Sequence, residues 1–390
     1  MVNYDYSNSA RLIFGKGQEK NIATYIQQYG GKKVLIHYGQ NSVKKTGLLR
    51  AVEGYLSEAG LEYIEFGGVL PNPRLSLAKE GARLCVEENV DFILAIGGGS
   101  VIDSAKAMAA QAKVEDDFWD YLMGGKPVPD ALPIGVILTI PASGSEGSGG
   151  LVITNDLLTM KRSYNCPCLT PKFAVQNPEL QYSLPQYQTA CGCFDIVSHL
   201  MERYFTTVDH TEVTDRLLES CASVVVRNSE IVLSDPTNYD ARAEITQAGT
   251  WAHNGLLDCG RISDWATHTM EHELSGLTDI THGAGLSILT PAWMKYVYKK
   301  HPNRFVQFGV RVFHVDNSYD SIEEMALATI MKIEKWAKSM GLPVRFSEVD
   351  FDEADIPKLA DMCFIGVDGT IGSFVPLEKK DVEAIFRLAL

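Results

Sequence analysis

Apolar residues in the first half of the chain fall into short unbroken runs, separated by longer stretches where they recur every three or four positions. The runs KVLIHY (Lys33–Tyr38), EYIEF (Glu62–Phe66), VDFILAI (Val90–Ile96) and Pro133–Ile140 predict strands, since runs of this length bounded by turn residues suit strands buried on both faces. Ser42–Ala59, Leu75–Asn89 and Val101–Ala110 carry the helical spacing between them. Strands alternating with helices predict a mostly parallel sheet covered on both faces.

The pattern changes near Pro185. From there nearly every segment has helical periodicity, and helices are predicted over Gln186–Thr206, Thr211–Ser234, Tyr239–Leu256, Trp265–Ser275, Ala284–Lys300, Ile322–Met340 and Lys379–Ala389. The expected architecture is an N-terminal Rossmann-like α/β domain over residues 1–184, followed by an all-helical domain over 185–390. Ligands of such α/β folds bind beyond the carboxyl ends of the strands.

Composition narrows the partners. A formal charge of −14 and the absence of any long Lys/Arg run exclude a nucleic-acid binder and disfavour anionic lipid surfaces. The opening residues lack the apolar core of a signal peptide, and the apolar stretch Pro133–Ala142 is too short to span a bilayer. Eight cysteines in 390 residues are too sparse for a disulfide scaffold, so a reducing, cytoplasmic setting is expected. Two C-x-C pairs, Cys166/Cys168 and Cys191/Cys193, lack ordinary zinc-knot spacing and read as buried thiols.

Two stretches carry chemistry. Gly97-Gly98-Gly99-Ser100 follows a strand and opens a helix, with Asp103 and Lys106 in that helix's first turns. There the backbone can approach a phosphate closely and offer it free N–H groups, although a glycine-rich turn alone is a weak motif and the G-x-G-x-x-G spacing is absent. A second loop, Thr139–Glu146, follows the next strand, and two such loops suit a diphosphate. In the helical half, Asp195 and His199 are four apart, as are His268 and His272, and His282 follows ten residues later. A spacing of four puts both side chains of a pair on one helix face, and a carboxylate with three imidazoles suits a divalent transition metal. His37, His210, His253, His301 and His314 read as surface or hydrogen-bonded core residues.

Taken in order, FGKG (Phe14–Gly17), IGGGSVIDSAKA (Ile96–Ala107), TIPASGSE (Thr139–Glu146), KRSYNCPCLTPKFAVQNP (Lys161–Pro178), DWATHTMEHELSG (Asp264–Gly276) and THGAGLSIL (Thr281–Leu289) resemble the iron-dependent (group III) alcohol dehydrogenases, in the butanol dehydrogenase/aldehyde reductase branch. The resemblance covers essentially the whole chain. It implies a dehydroquinate synthase-like fold and one Fe²⁺ or Zn²⁺ held by Asp195, His199, His268 and His282. His272 falls on a non-ligand histidine near the nicotinamide that takes part in proton transfer. The cofactor diphosphate is expected on Gly98, Gly99 and Ser100, with Thr139 and Ser143 nearby. Asp103, Lys161 and Asn72 match cofactor-side positions. One departure stands out: Asn177 occupies a place where the family usually has an acidic residue.

Interconversion of small alcohols and aldehydes by a homodimer, with no nucleic acid or membrane partner, is therefore the expected function. A lyase of the dehydroquinate synthase type would need a Lys/Arg cluster for a phosphate, and glycerol dehydrogenase-type relatives use one Asp and two His. Both fit less well. After KVLIHY no acidic residue occurs between Lys32 and Val52, so the turn Gly39, Asn41 and Ser42 predicts NADP(H) over NAD(H), because an acid there would repel a 2′-phosphate. Helix capping is the alternative role for Asn41 and Ser42.

Overall fold

The computed structural model describes residues 1–316 and 318–390. Ser7–Leu184 form one compact unit; Pro185–Leu390 form another, joined by Met1–Tyr6. The first unit runs β1 (Arg11–Phe14), α1 (Ile22–Gln28), β2 (Lys33–Tyr38), α2 (Ser42–Lys45), α3 (Leu48–Glu58), β3 (Glu62–Phe66), α4 (Leu75–Glu87), β4 (Phe92–Gly97), α5 (Gly99–Gln111), α6 (Phe118–Gly124), β5 (Ile134–Leu138), β6 (Gly150–Asn155), β7 (Met160–Asn165) and β8 (Phe173–Gln176). Six strands form a parallel sheet in the order β1-β8-β5-β4-β2-β3, and β6 and β7 pair antiparallel as a separate hairpin.

Successive residues of each strand feed opposite faces. Ile36 and Leu94 pack with Ile26, Val52 and Leu56 on one side, while their neighbours Leu35 and Ile93 pack with Ala82, Ile102 and Met108 on the other. Both faces are thus covered, which is why these strands read as continuous apolar runs. The chain leaves β2 toward β3 on one side, whereas β4, on the other side of β2, leads to β5. Loops Gly39–Ser42 and Gly97–Ser100 therefore stand at the carboxyl ends flanking a topological switch point, the ligand position of open α/β sheets.

The sequence expectation differs from the structure at several points. The helix expected over Ser42–Ala59 is two helices, α2 and α3, broken at Gly47, whose φ of 78° is left-handed. Strands β1 and β8 are four residues each, too short to carry a periodic signal, and hairpin β6–β7 turns through Asp156–Thr159 without a strong hairpin dipeptide.

The second unit is helical: α7 (Gln186–Tyr204), α8 (Glu212–Ser234), α9 (Tyr239–His253), α10 (Ala266–Thr278), α11 (His282–Val297), α12 (Pro302–Val312), α13 (Ile322–Ser339), α14 (Ile356–Met362) and α15 (Lys379–Leu388). Helix α7 is its axis, with every residue from Thr189 to Tyr204 buried. The helix expected to reach Leu256 stops at His253, before Gly255 with φ 87°. The one expected from Ala284 starts two residues earlier and puts His282 in its first turn. Helices α12 and α14 were not anticipated; both carry Pro in the first turn, where its missing N–H costs nothing. The N-terminal hexapeptide attaches here, with Val2 donating to the Gly260 carbonyl at 3.1 Å. Among the described residues, no helix is long and apolar enough to cross a membrane.

Candidate functional site

Helix α7 carries Asp195 and His199 one turn apart, both buried. Two further helices begin beside it. Helix α10 starts after Trp265, which sits at φ 67°, an uncommon conformation for a bulky residue. Its start is held by Glu202 of α7: one carboxylate oxygen accepts from the Trp265 N–H at 2.8 Å, the other from the His268 N–H at 3.0 Å and from the Thr267 hydroxyl. A carboxylate is well placed at a helix N-terminus, where N–H groups lack intrahelical partners. The same Glu202 oxygen lies 2.9 Å from His268 Nδ1, leaving Nε2 turned toward Asp195.

Helix α11 needs its glycines to approach. A Cβ on Gly283 would come within 2.2 Å of the Cys191 carbonyl on α7, and one on Gly285 within 2.7 Å of the Glu271 carboxylate. This close contact brings His282 to Asp195. Glu271, fully buried, pairs with His282 Nδ1 and accepts from the Ser275 hydroxyl.

Asp195 Oδ1 consequently lies 3.3 Å from His199 Nδ1, 3.8 Å from His268 Nε2 and 3.6 Å from His282 Nε2. Ligand atoms ~2.1 Å from one ion at tetrahedral corners stand ~3.4 Å apart, so the spacing is that of a coordination shell. Asp195, His268 and His282 offer ligand atoms all within 4.8 Å of one another; His199 joins through Asp195, its ring 4.5 Å from that of His268. Among the described residues, Asp195 Oδ1, His199 Nδ1 and His268 Nε2 are buried without a hydrogen-bond partner. Three converging orphaned atoms would be costly unless something binds them, and their chemistry fits a divalent transition metal. Glu202 and Glu271 fix the orientation of two of the imidazoles, those of His268 and His282, as carboxylates behind a metal site would.

The electrostatics agree. Burial works against charge on His268, yet the attraction of the Asp195 carboxylate and the hydrogen bond and charge of Glu202 prevail and push it up to about 9. Burial, with the neighbouring His268, His253 and Arg203, holds His199 well below the usual histidine range. Burial and the Glu202 charge push Asp264 up to about 7.

His272 is half-buried, its ring 5.6 Å from that of His282 and 6.3 Å from that of His268. His253, expected as a surface or hydrogen-bonded core residue, has its Nδ1 3.4 Å from Arg203 Nη2, and its ring also lies 4.6 Å from that of His199. Trp265 closes the same corner, its indole under the Arg203 guanidinium at 4.7 Å and its ring 5.3 Å from His268. The sequence reading missed Glu202, Glu271, His253 and Trp265. A signal existed for the carboxylates, which follow His199 and His268 by three residues, on the same helix face.

In the α/β unit, Gly98 and Gly99 open α5 tightly against the second loop. A Cβ on Gly98 would meet Ile140 Cβ at 2.7 Å, and one on Gly99 would meet Ser143 Oγ at 2.4 Å. The Thr139 N–H donates to the Gly97 carbonyl at 2.9 Å, so Gly98, Gly99, Ser100, Thr139 and Ser143 gather at the ends of β4 and β5. Asn72, at φ 53°, and Lys161 are both buried and meet, Nζ donating to Oδ1 at 2.9 Å. Asp103, grouped with the cofactor residues on sequence, ties the loop to β6: Oδ1 accepts from the Ser145 hydroxyl at 2.6 Å and Oδ2 from the Val152 N–H at 3.0 Å. Lys106 anchors the same loop, its buried ammonium donating to the Ser145 hydroxyl and to the carbonyls of Ser145, Ser148 and Gly150 at 2.6–2.8 Å. At the end of β2, Asn41 and Ser42 are exposed, and no side-chain hydrogen bond from Asn41 caps α2. The departure at Asn177 also has a local reason: its amide donates to the buried Glu19 carboxylate at 3.0 Å, which an acidic residue there would repel.

Comparison with known proteins agrees with both halves. Residues 9–178 match the family model of iron-containing alcohol dehydrogenases, and residues 189–390 match the C-terminal model of the Fe-containing alcohol dehydrogenase family. The chain is 40% identical over 390 residues, the whole of both proteins, to a probable NADH-dependent butanol dehydrogenase of Bacillus subtilis (strain 168). It is 35% identical over 362 residues, 92% of each, to the NADPH-dependent aldehyde reductase YqhD of Escherichia coli K12. The crystal structure of NADH-dependent butanol dehydrogenase A from Thermotoga maritima superposes with a TM-score of 0.96 at 37% identity, covering 100% of this chain and 99% of that one. The chain belongs to the iron-containing alcohol dehydrogenase family.

Proposed function

We propose that the chain interconverts small linear alcohols and aldehydes, butanol and butanal among them, using NADP(H) in preference to NAD(H). The main support is the carboxylate–histidine cluster with its orphaned ligand atoms, in a chain whose other unit gathers glycine-rich loops at a topological switch point. Asp195, His199, His268 and His282 would hold Fe²⁺ or Zn²⁺, which when bound supplies Lewis acidity toward an alcohol or carbonyl oxygen. Glu202 and Glu271 keep the Nδ1 protons of His268 and His282 engaged, so that Nε2 of each stays free to ligate. His272, close to both rings, takes or returns the alcohol proton. Gly98, Gly99, Ser100, Thr139 and Ser143 receive the cofactor diphosphate, while Asn72 and Lys161 line its cradle as one buried pair. The chain's contribution to hydride transfer is orientation.

The cofactor preference rests on the turn after β2. Its named relatives divide, with NADH for the Bacillus subtilis butanol dehydrogenase and NADPH for the Escherichia coli aldehyde reductase. The turn Gly39, Asn41 and Ser42 has no acid to bind a free 2′-hydroxyl or to repel a 2′-phosphate, and Asn41 and Ser42 are exposed. Butanal reduction is expected to show a higher kcat/KM with NADPH than with NADH, and Asn41→Asp should move the ratio toward NADH. A wild type preferring NADH, or an unmoved variant, overturns the preference without touching the dehydrogenase reading. A homodimer, testable by light scattering, and a cytoplasmic setting belong to the same reading.

A further inference from the structure

Cys166 and Cys168 flank Pro167 at the end of β7, where the chain enters a single 3₁₀ turn over Pro167–Leu169. Their sulfurs stand 3.2 Å apart. Each also lies within 3.8–3.9 Å of the Val128 carbonyl, which can accept from either thiol. Cys166 is buried and Cys168 is partly exposed. The other C-x-C pair provides a control within the chain: Cys191 and Cys193 lie in the middle of α7, and residues two apart on an α-helix do not face each other. The same spacing therefore gives a facing dithiol in one place and two separate buried thiols in the other.

We propose that Cys166 and Cys168 are a redox-active dithiol that closes to an intramolecular disulfide by exchange with a low-molecular-weight disulfide. The partly exposed Cys168 thiolate attacks one sulfur of the small disulfide, forming a mixed disulfide and expelling one small thiolate. Cys166, already in contact, then attacks the Cys168 sulfur and expels the second small thiolate. The protein loses two protons and two electrons, and the small disulfide is reduced to two thiols. Burial, together with Cys166 and Asp130, pushes the Cys168 thiol up to about 12, so the thiolate is scarce at neutral pH and the exchange is slow there but accelerates as pH rises.

The pair lies beside the nucleotide loop. The Cys166 N–H donates to the Gly149 carbonyl at 3.2 Å, and a Cβ on Gly149 would meet the Cys166 carbonyl at 2.4 Å. Gly149 lies between Ser148 and Gly150, whose carbonyls hold Lys106.

The test is incubation of the full-length protein with oxidised glutathione at a series of pH values between about 7 and 9, followed by quenching with an alkylating agent and peptide mass mapping. The peptide containing Cys166 and Cys168 is expected to lose two hydrogens, to resist alkylation and to recover both thiols after dithiothreitol. The rate should rise about tenfold per pH unit. Cys166→Ser should stall with glutathione on Cys168, and Cys168→Ser should leave Cys166 unmodified. Circular dichroism establishes that each variant is folded. Alkylation of both wild-type thiols even at the highest pH, a persistent glutathione adduct on wild-type Cys168 there, or a Cys166→Ser protein that takes up no glutathione at that pH would each overturn the proposal.

Discussion

The histidine cluster of the helical unit and the glycine loops of the α/β unit are built in opposite ways. In the cluster, side chains converge and are held from behind: Glu202 and Glu271 each tie an imidazole to a neighbouring helix. In the loops, side chains are removed so that backbone can come close, and the positions of Gly98 and Gly99 are fixed by what a single added carbon would strike. Damage to the first should appear as lost metal and lost chemistry. Damage to the second should appear as weakened cofactor binding with metal content intact. A variant that crosses this division breaks the comparison.

The largest effect is expected at His268. Its Nε2 is a buried orphan facing Asp195, and His268→Ala is expected to abolish both metal content, measured by plasma mass spectrometry, and butanal reduction. Full metal occupancy in that variant would falsify the ligand assignment. His272→Ala separates proton transfer from ligation: a loss of ~10²-fold in kcat is expected, the scale of a removed general acid/base, with metal retained. If the metal leaves instead, the roles of the two histidines are exchanged.

Glu202→Gln probes the support behind a ligand. The variant keeps a hydrogen-bond acceptor for His268 Nδ1 but loses the charge, and metal affinity is expected to fall ~10–100-fold, as for other groups that orient a metal-bound histidine. A competition titration with a chelator measures this directly. The position also shows what sequence reading could reach. Asp195, His199, His268 and His282 stood out through helical spacing and motif order. Glu202 and Glu271 share that spacing but were not singled out, since nothing in the sequence reveals that both are buried. His253 and Trp265 reach the cluster only because α9 ends just before Gly255 and α10 starts from a left-handed residue. In the α/β unit the long buried strands were legible from their unbroken apolar runs. The four-residue strands β1 and β8 were not, because their pairing comes from the sheet rather than from their own pattern.

Gly99→Ala carries the smallest expected effect and is the sharpest test of the contrast. The added methyl carbon would lie 2.4 Å from Ser143 Oγ and 3.1 Å from its Cβ. A hydroxyl can rotate away, so the fold should tolerate the change; alanine in the first turn of α5 is also a good helix former. Gly98→Ala is different, because the obstacle there is Ile140 Cβ at 2.7 Å, an atom that cannot move without its backbone. In Gly99→Ala the rotation displaces a hydroxyl proposed to face the diphosphate and the 3.3 Å contact that Ser143 Oγ makes with the Ser145 N–H. One lost hydrogen bond of ~0.5–1.5 kcal/mol corresponds to a roughly 2–13-fold rise in cofactor KM. Metal content, thermal stability and kcat at saturating cofactor should stay near wild type. An unchanged cofactor KM would mean that Ser143 does not serve the cofactor; lost metal would mean that the two sites are not independent in the way their construction indicates.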